Sequence, residues 1–319
     1  PILLVLGGLA ISFIPNVPTI TLNPDLVLII FLPPLLYADV FSLSLKEMWK
    51  WRRIIFSFAF IVVFITAAAV AWVVNMVFPG FSLALGFLLG GVIGSTDAVS
   101  ASTIMKFVKV PKRISTIIES ESLLNDASSL IVFRFAALVV TTGQLVWTDM
   151  ALNFLWVVIG GTLIGLAVAW VMRKLNKFLP TDANMDVILT LIAPYIMYIV
   201  ANEVGASGVL AVVAGGMYMS FHLTSILAAS TSNKGWAVWD ILGFVLNGLA
   251  FMLIGLALPE VLIGIEAEGM SLATATNYGL LITGVVVGVR LLSSYGAILI
   301  TQVMKHFITV ADRRNPGFR

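Results

Sequence analysis

The sequence has no cysteine, two histidines and little charge, with Asp, Glu, Lys and Arg together making up 11% of its 319 residues, against about 25% in soluble domains. Without cysteine there are no disulfides, thiolate metal ligands or thiol nucleophiles. A net charge of +2 is too small to point to nucleic acid as a partner. No long hydrophilic linker interrupts the chain, so residues 1–319 read as one unit without a soluble second domain. What remains is apolar: 60% of residues are hydrophobic and the mean hydropathy is +1.07. No soluble core could absorb that much apolar surface, so the solvent is a bilayer.

About ten apolar segments are expected as transmembrane helices, at 1–14, 25–45, 54–78, 82–105, 114–141, 151–172, 185–202, 207–226, 236–258 and 272–304. Turn-rich breaks separate them, among them Pro15 to Pro18, Pro79-Gly80, Thr142-Gly143 and Pro259. The first segment is short and Pro1 is not an initiator methionine, so the natural protein is expected to begin earlier.

Charge tests this segmentation independently. Sixteen of the 18 Lys and Arg fall in alternate loops or at their edges, in Lys46 to Arg53, Lys106 to Arg113, Arg173 to Lys177, Lys234, and Lys305 to Arg319. The loops between them hold acids: Asp25, Asp149, Glu203, and the group Glu260, Glu266 and Glu268. The positive-inside rule therefore predicts a multi-pass protein of the cell (inner) membrane with both observed termini cytoplasmic. The eight Trp, including Trp51, Trp147, Trp236 and Trp239, mostly fall at the predicted interfaces.

Two cations are left inside apolar segments, Arg134 and Arg290, where a lone charge costs several kcal/mol, about 2.5–3.5 on insertion scales. Arg134 lies near a segment end, where its side chain is expected to snorkel. Arg290 lies mid-span and needs a partner. Glu121 is the natural one, as an otherwise unexplained charge, while Asp97 and Asp126 remain open as alternatives.

The fourth segment reads Phe87-Leu-Leu-Gly90-Gly91-Val-Ile-Gly94-Ser95-Thr96-Asp97, a poor continuous helix that is expected to be interrupted near Thr96 and Asp97. The glycines alone could equally serve close helix packing, but packing does not require a carboxylate. The fifth segment carries Glu119 to Ser129, in which Ser122 and Asp126 share a helical face, as do Glu121 and Asn125. Carboxylates, hydroxyls, an amide and freed carbonyls are the hard oxygens that a dehydrated alkali cation requires. A carboxyl group deep in the bilayer can be neutralised by a cation or by a proton, and competition between the two would be exchange. Asp39, near the inner end of the second segment, reads equally as a snorkelling acid or as part of the site's access route.

Phe31-Leu-Pro33-Pro34-Leu-Leu, Ser95-Thr96-Asp97-Ala98-Val99 and above all Glu121-Ser122-Leu123-Leu124-Asn125-Asp126-Ala127 resemble the NhaP/NHE-type monovalent cation/proton antiporters. The resemblance implies an all-α antiporter fold with inverted repeats, in which two interrupted helices cross at mid-membrane. It implies Asp126 as the ion- and proton-binding carboxylate, with Asp97, Thr96, Ser122 and Asn125 completing the site; sodium would meet Asp126, Asp97, Ser122 and Thr96. Glu121 and Arg290, the latter in Gly288-Val289-Arg290-Leu291, match the family's buried ion pair. Asn125-Asp126 in place of two acids resembles the electroneutral branch, which exchanges one cation for one proton as a homodimer. No cofactor is implied beyond the transported sodium ion and proton. The family has an acid where this chain has Ala38, with Asp39 one position on. The chain also stops at Arg319, before the family's Gly-Arg-Gly helix and the one after it, so the C-terminal helices are expected to follow in the natural protein.

Two other functions compete. A passive cation channel would need a carbonyl filter or a charged ring. An intramembrane aspartyl protease would pair two aspartates, but in Tyr-Asp and Gly-x-Gly-Asp contexts rather than the Ser-Thr-Asp and Leu-Asn-Asp found here.

Overall fold

Hydrocarbon leaves a backbone no hydrogen-bond partner but itself, and every regular element among the described residues is helical. The computed structural model describes residues 2–14, 24–78, 80–97, 101, 104–105, 108, 110–143, 152–178, 182–226 and 229–304. The expected turn at Pro15 to Pro18, Pro79, Lys106, Lys109, Trp147, Asp149 and everything from Lys305 onward lie outside these residues.

The first helices are α1, Ile2–Ser12, and α2, Pro24–Ser42. Next, α3, Leu45–Phe56, runs through a π-helical turn, Ser57–Val62, into α4, Val63–Val77. Then come α5, Leu83–Ile93, and α6, Lys112–Thr142. A second π-helical turn, Trp156–Gly160, leads into α7, Gly161–Phe178. The series ends with α8, Ala183–Glu203, α9, Gly208–Ile226, α10, Ala229–Ala267, and α11, Leu272–Met304.

Among the described residues, six stretches are long and apolar enough to cross a membrane: Leu45–Val77, Lys112–Thr142, Leu152–Asn176, Asn184–Glu203, Gly235–Ala267 and Leu272–Ala297. Four shorter apolar helices, Ile2–Ser12, Leu26–Phe41, Leu83–Ile93 and Gly208–His222, fall on the remaining expected segments. The chain is thus an all-α, polytopic membrane protein.

Two local expectations need correcting. Lys46 to Arg53 do not form a loop: they lie on α3, continuous with the span that follows, because no breaker separates them from it. Pro259 does not end its helix, since α10 runs through it to Ala267. One missing amide donor is tolerated in a membrane helix when neighbouring groups adjust. Gly143 behaves as expected, taking the left-handed conformation at φ 66° and ending α6.

Glycines decide how α5 sits between α4 and α6. A Cβ built on Gly86 would lie 2.6 Å from Ala71 Cα, and one on Gly90 2.7 Å from Ala67 Cα, so these two let α5 touch the α4 backbone. Gly91 does the same toward α6, where its Cβ would come within 2.7 Å of Phe133 N. Gly90 and Gly91 therefore lie inside regular helix and serve packing; the break comes later. Gly90→Leu should lower the melting temperature in detergent, with a cost of about 3 kcal/mol, the upper part of the overpacking range, because backbone cannot yield as a flexible side chain can. An unchanged melting temperature would contradict the close approach.

On the other side of the molecule α9 packs on α7, α8 and α2. Tyr37 of α2 and Trp239 of α10 are nearly fully buried there, with ring centroids 4.9 Å apart, and Trp239 Nε1 donates to Thr190 Oγ1 of α8 at 3.2 Å. The contacts of α11 are chiefly with α4, which brings its central part alongside the α4–α5–α6 group.

Candidate ion site

Regular helix ends at Ile93 in α5, with Gly94 as the C-cap, and Ser95, Thr96 and Asp97 are non-helical. Helical hydrogen bonding resumes beyond the gap, where Ala101 N–H donates to the Asp97 carbonyl at 3.3 Å. The interruption expected near Thr96 and Asp97 is therefore present. A helix end leaves its last carbonyls without intrahelical partners, and the residues just beyond this one bond to a polar stretch of α6.

Every residue of that meeting is specific. Ser95 Oγ–H donates to an Asp126 carboxylate oxygen, with Asn125 Oδ1 3.0 Å away as a second acceptor. Asn125, fully buried, turns its amide nitrogen toward Thr96 Oγ1 and donates at 2.6 Å. Ser122 Oγ–H donates to the Thr96 backbone carbonyl. Three α6 polar residues, at 122, 125 and 126, thus bond to the Ser95 and Thr96 hydroxyls and to the Thr96 carbonyl at the break. The i, i+3 and i+4 spacing puts all three on one face of α6.

Asp97 is exposed and close enough for its charge to act on Asp126. Of the residues expected at the site, Asp126, Asn125, Ser122 and Thr96 are hydrogen-bonded into one cluster, and Asp97 borders it. Ser95 is the site residue that sequence reasoning missed. Its only signal was its place as the first hydroxyl of the Ser95-Thr96-Asp97 run. Asp39 of α2 is within electrostatic reach of Asp126, Asp97 and Glu119. Glu119 itself accepts from Ser115 Oγ at 2.7 Å, one turn nearer the start of α6.

The ion pair expected between the two lone intramembrane charges is formed: Arg290 Nη1 lies 3.3 Å from Glu121 Oε1. Its second nitrogen donates to the Gly94 carbonyl at 2.9 Å. One guanidinium therefore joins α11, α6 and the end of α5. Its positive charge also meets the negative end of the α5 helix dipole.

Arg134 donates to Asn202 Oδ1 at 3.0 Å and to the Ala206 carbonyl at 3.3 Å, tying the far part of α6 to the α8–α9 turn. The same turn is held by Trp156 Nε1, which donates to Val204 O at 3.1 Å. It is held again by Ser207 N, which donates to Val157 O in the π-helical turn at 3.1 Å.

A helical membrane protein that keeps carboxylates, amide and hydroxyls at a broken helix, and neutralises a second buried acid with arginine, has the makings of an ion-handling protein rather than a receptor or anchor. Comparison with known proteins identifies the family. Residues 1–311 match the family described as sodium/hydrogen exchanger, transmembrane, and the chain belongs to it. That family consists of transporters, not enzymes, which removes the protease reading. The chain is 33% identical over 272 residues to the sodium, potassium, lithium and rubidium/H(+) antiporter of Bacillus pumilus, covering 82% of this chain and 40% of that protein. The protein of the same name from Bacillus subtilis is 32% identical over 263 residues, 81% of this chain and 39% of that one. The low-affinity Na(+)/H(+) antiporter NhaS1 of Synechocystis is 31% identical over 325 residues, 98% and 58% respectively. The chain accordingly spans between 39% and 58% of the length of these relatives.

Proposed function

We propose that this chain is the transport unit of a secondary active antiporter that exchanges sodium, or lithium or potassium, for protons. Asp126 is the residue on which the two cargoes compete. The observation that carries the reading is the meeting of Asp126, Asn125 and Ser122 with the non-helical Ser95-Thr96-Asp97 stretch. In the protonated state Asp126 is neutral and the hydroxyl and amide groups bond to one another. When sodium enters and the proton leaves, the Asp126 carboxylate, the Ser122 and Thr96 oxygens and Asp97 offer hard ligands, and Ser95 and Asn125 turn their oxygens inward. The names of the relatives support this cargo, since they are antiporters of sodium and other alkali cations against protons.

Asn125 beside Asp126 leaves one ionisable group at this pair of positions, which supports a 1:1, electroneutral exchange. The alternation of basic and acidic loops supports a cell-membrane protein with cytoplasmic termini. The family resemblance supports inverted repeats and a homodimer. A channel remains the second reading, and coupling separates the two.

Competition makes a kinetic prediction. Lowering the pH on the sodium side should raise the apparent KM for sodium while the maximal rate at saturating sodium stays the same, because protons occupy Asp126 first. Sodium-dependent proton flux in vesicles, with the membrane potential clamped and unclamped, checks it. A KM independent of pH, or sodium flux that follows voltage without proton movement, would refute exchange at a shared carboxylate.

A further inference from the structure

Basic residues of α3 and of the first turn of α6 lie where the two helices meet, with Lys50 and Arg113 on the same Trp51 ring. Lys46, Lys50 and Arg53 fall at i, i+4 and i+7 of α3 and are exposed, whereas Met48 and Ile55 are buried. The first turns of α3 are therefore amphipathic, with cations on the open face. Arg52 is exposed as well; its guanidinium lies 4.9 Å from the Trp49 ring and donates to the Trp49 carbonyl at 2.9 Å. From α6, the Arg113 guanidinium stacks 3.7 Å from the Trp51 ring, and the Lys50 ammonium lies 5.6 Å from the same ring. Lys112 is exposed beside Arg113. Glu47 is the acid in the first turn of α3, and the first turn of α6 holds none.

Like charges repel across the corner, and cations in the first turn of α6 oppose the helix dipole. Trp51 holds Lys50 and Arg113 over its ring and Trp49 holds Arg52, which keeps these three cations at the corner instead of letting them spread into solvent. Trp49 is 62% exposed, and Ile54 and Phe56 on the following turn are 38% and 45% exposed. Cations and indoles thus share the first turns of α3, and the exposed side chains of Ile54 and Phe56 follow them, as headgroup and interface precede acyl chain in a bilayer.

We propose that the α3–α6 corner binds the headgroup of an anionic phospholipid, with the phosphate among the cations and the acyl chain along Ile54 and Phe56. The inference rests on the membrane assignment and not on the ion site. It is tested by reconstituting the protein in phosphatidylcholine nanodiscs with and without a minor fraction of phosphatidylglycerol. Phosphatidylglycerol should raise the melting temperature of the wild type and be retained through purification. The triple variant K50Q/R53Q/K112Q should melt like the wild type in pure phosphatidylcholine and lose the rise, with retention falling about fivefold for each cation removed. K50R/K112R should keep both effects, as should K174Q on α7. A wild-type rise in the triple variant would overturn the site. So would an equal rise given by inorganic phosphate in pure phosphatidylcholine, which would show a soluble anion to be the ligand. Should the triple variant not fold, lipid retention by K50Q and K112Q singly decides the matter in the same two directions.

Discussion

Asp126→Asn should yield a folded protein that moves no sodium against protons, with flux at the level of empty vesicles. Asparagine has nearly the volume of aspartate, and its amide oxygen can still accept from Ser95, so the contact between α6 and the break in α5 survives. What disappears is the negative charge. At about 4 Å and an effective dielectric constant of about 20, one unit charge attracts a cation by about 4 kcal/mol, or about three orders of magnitude in binding. The variant also has no group there that binds and releases a proton, so it loses both cargoes together. Ser122→Ala removes a hydrogen bond to the Thr96 carbonyl but no charge, and should raise the sodium KM while leaving measurable exchange. The decisive measurement is proton-coupled sodium flux in vesicles, alongside a melting curve that establishes folding. Wild-type flux from folded Asp126→Asn would end the assignment of this carboxylate.

The parts of the site that could be read from sequence are those that hydrocarbon makes costly. A carboxylate, two hydroxyls and three glycines in an apolar run announced the break at residues 95–97, and two lone charges announced the pair of Glu121 with Arg290. The features that escaped are cheap or neutral. Ser95 looked no different from its neighbouring hydroxyls, because spacing cannot tell which hydroxyl a helix break will aim at Asp126. The partners of Arg134 are an amide side chain and a backbone carbonyl, and neither carries a charge that a sequence could flag. Gly90 and Gly91 were legible as possible packing residues, but their partners were not, since only the fold brings Ala67 and Phe133 against them. Pro259 misled because its penalty depends on whether surrounding groups adjust to the lost donor. The topology of basic and acidic loops came from charge alone, while the continuity of α3 with α4 depended on the absence of any breaker between Arg53 and Val63.

Arg290→Ala should be the most destabilising of the charge substitutions, ahead of Asp97→Asn. Removing the guanidinium strands Glu121, whose side chain is 13% exposed, and leaves the Gly94 carbonyl without its donor. Breaking a buried pair costs about 3–5 kcal/mol; Arg290 is itself 23% exposed, so water offsets part of this and the low end, about 3 kcal/mol, is expected. Asp97 is exposed, and its neutralisation to asparagine leaves no buried charge behind. The pair also makes a prediction that a simple packing role would not. Glu121→Gln with Arg290→Gln, which removes both charges at once, should melt above either single substitution, since neither partner is stranded. Arg290→Lys should fall between, because one ammonium keeps the charge but does not reproduce the planar fork that reaches Glu121 and Gly94 together. Melting in detergent and the yield of folded protein order the six variants. If Asp97→Asn melts lowest, or the double variant melts below both singles, Arg290 does not hold α11, α6 and the end of α5 in place, and the support for the broken helix must come from the Ser122 and Asn125 bonds alone.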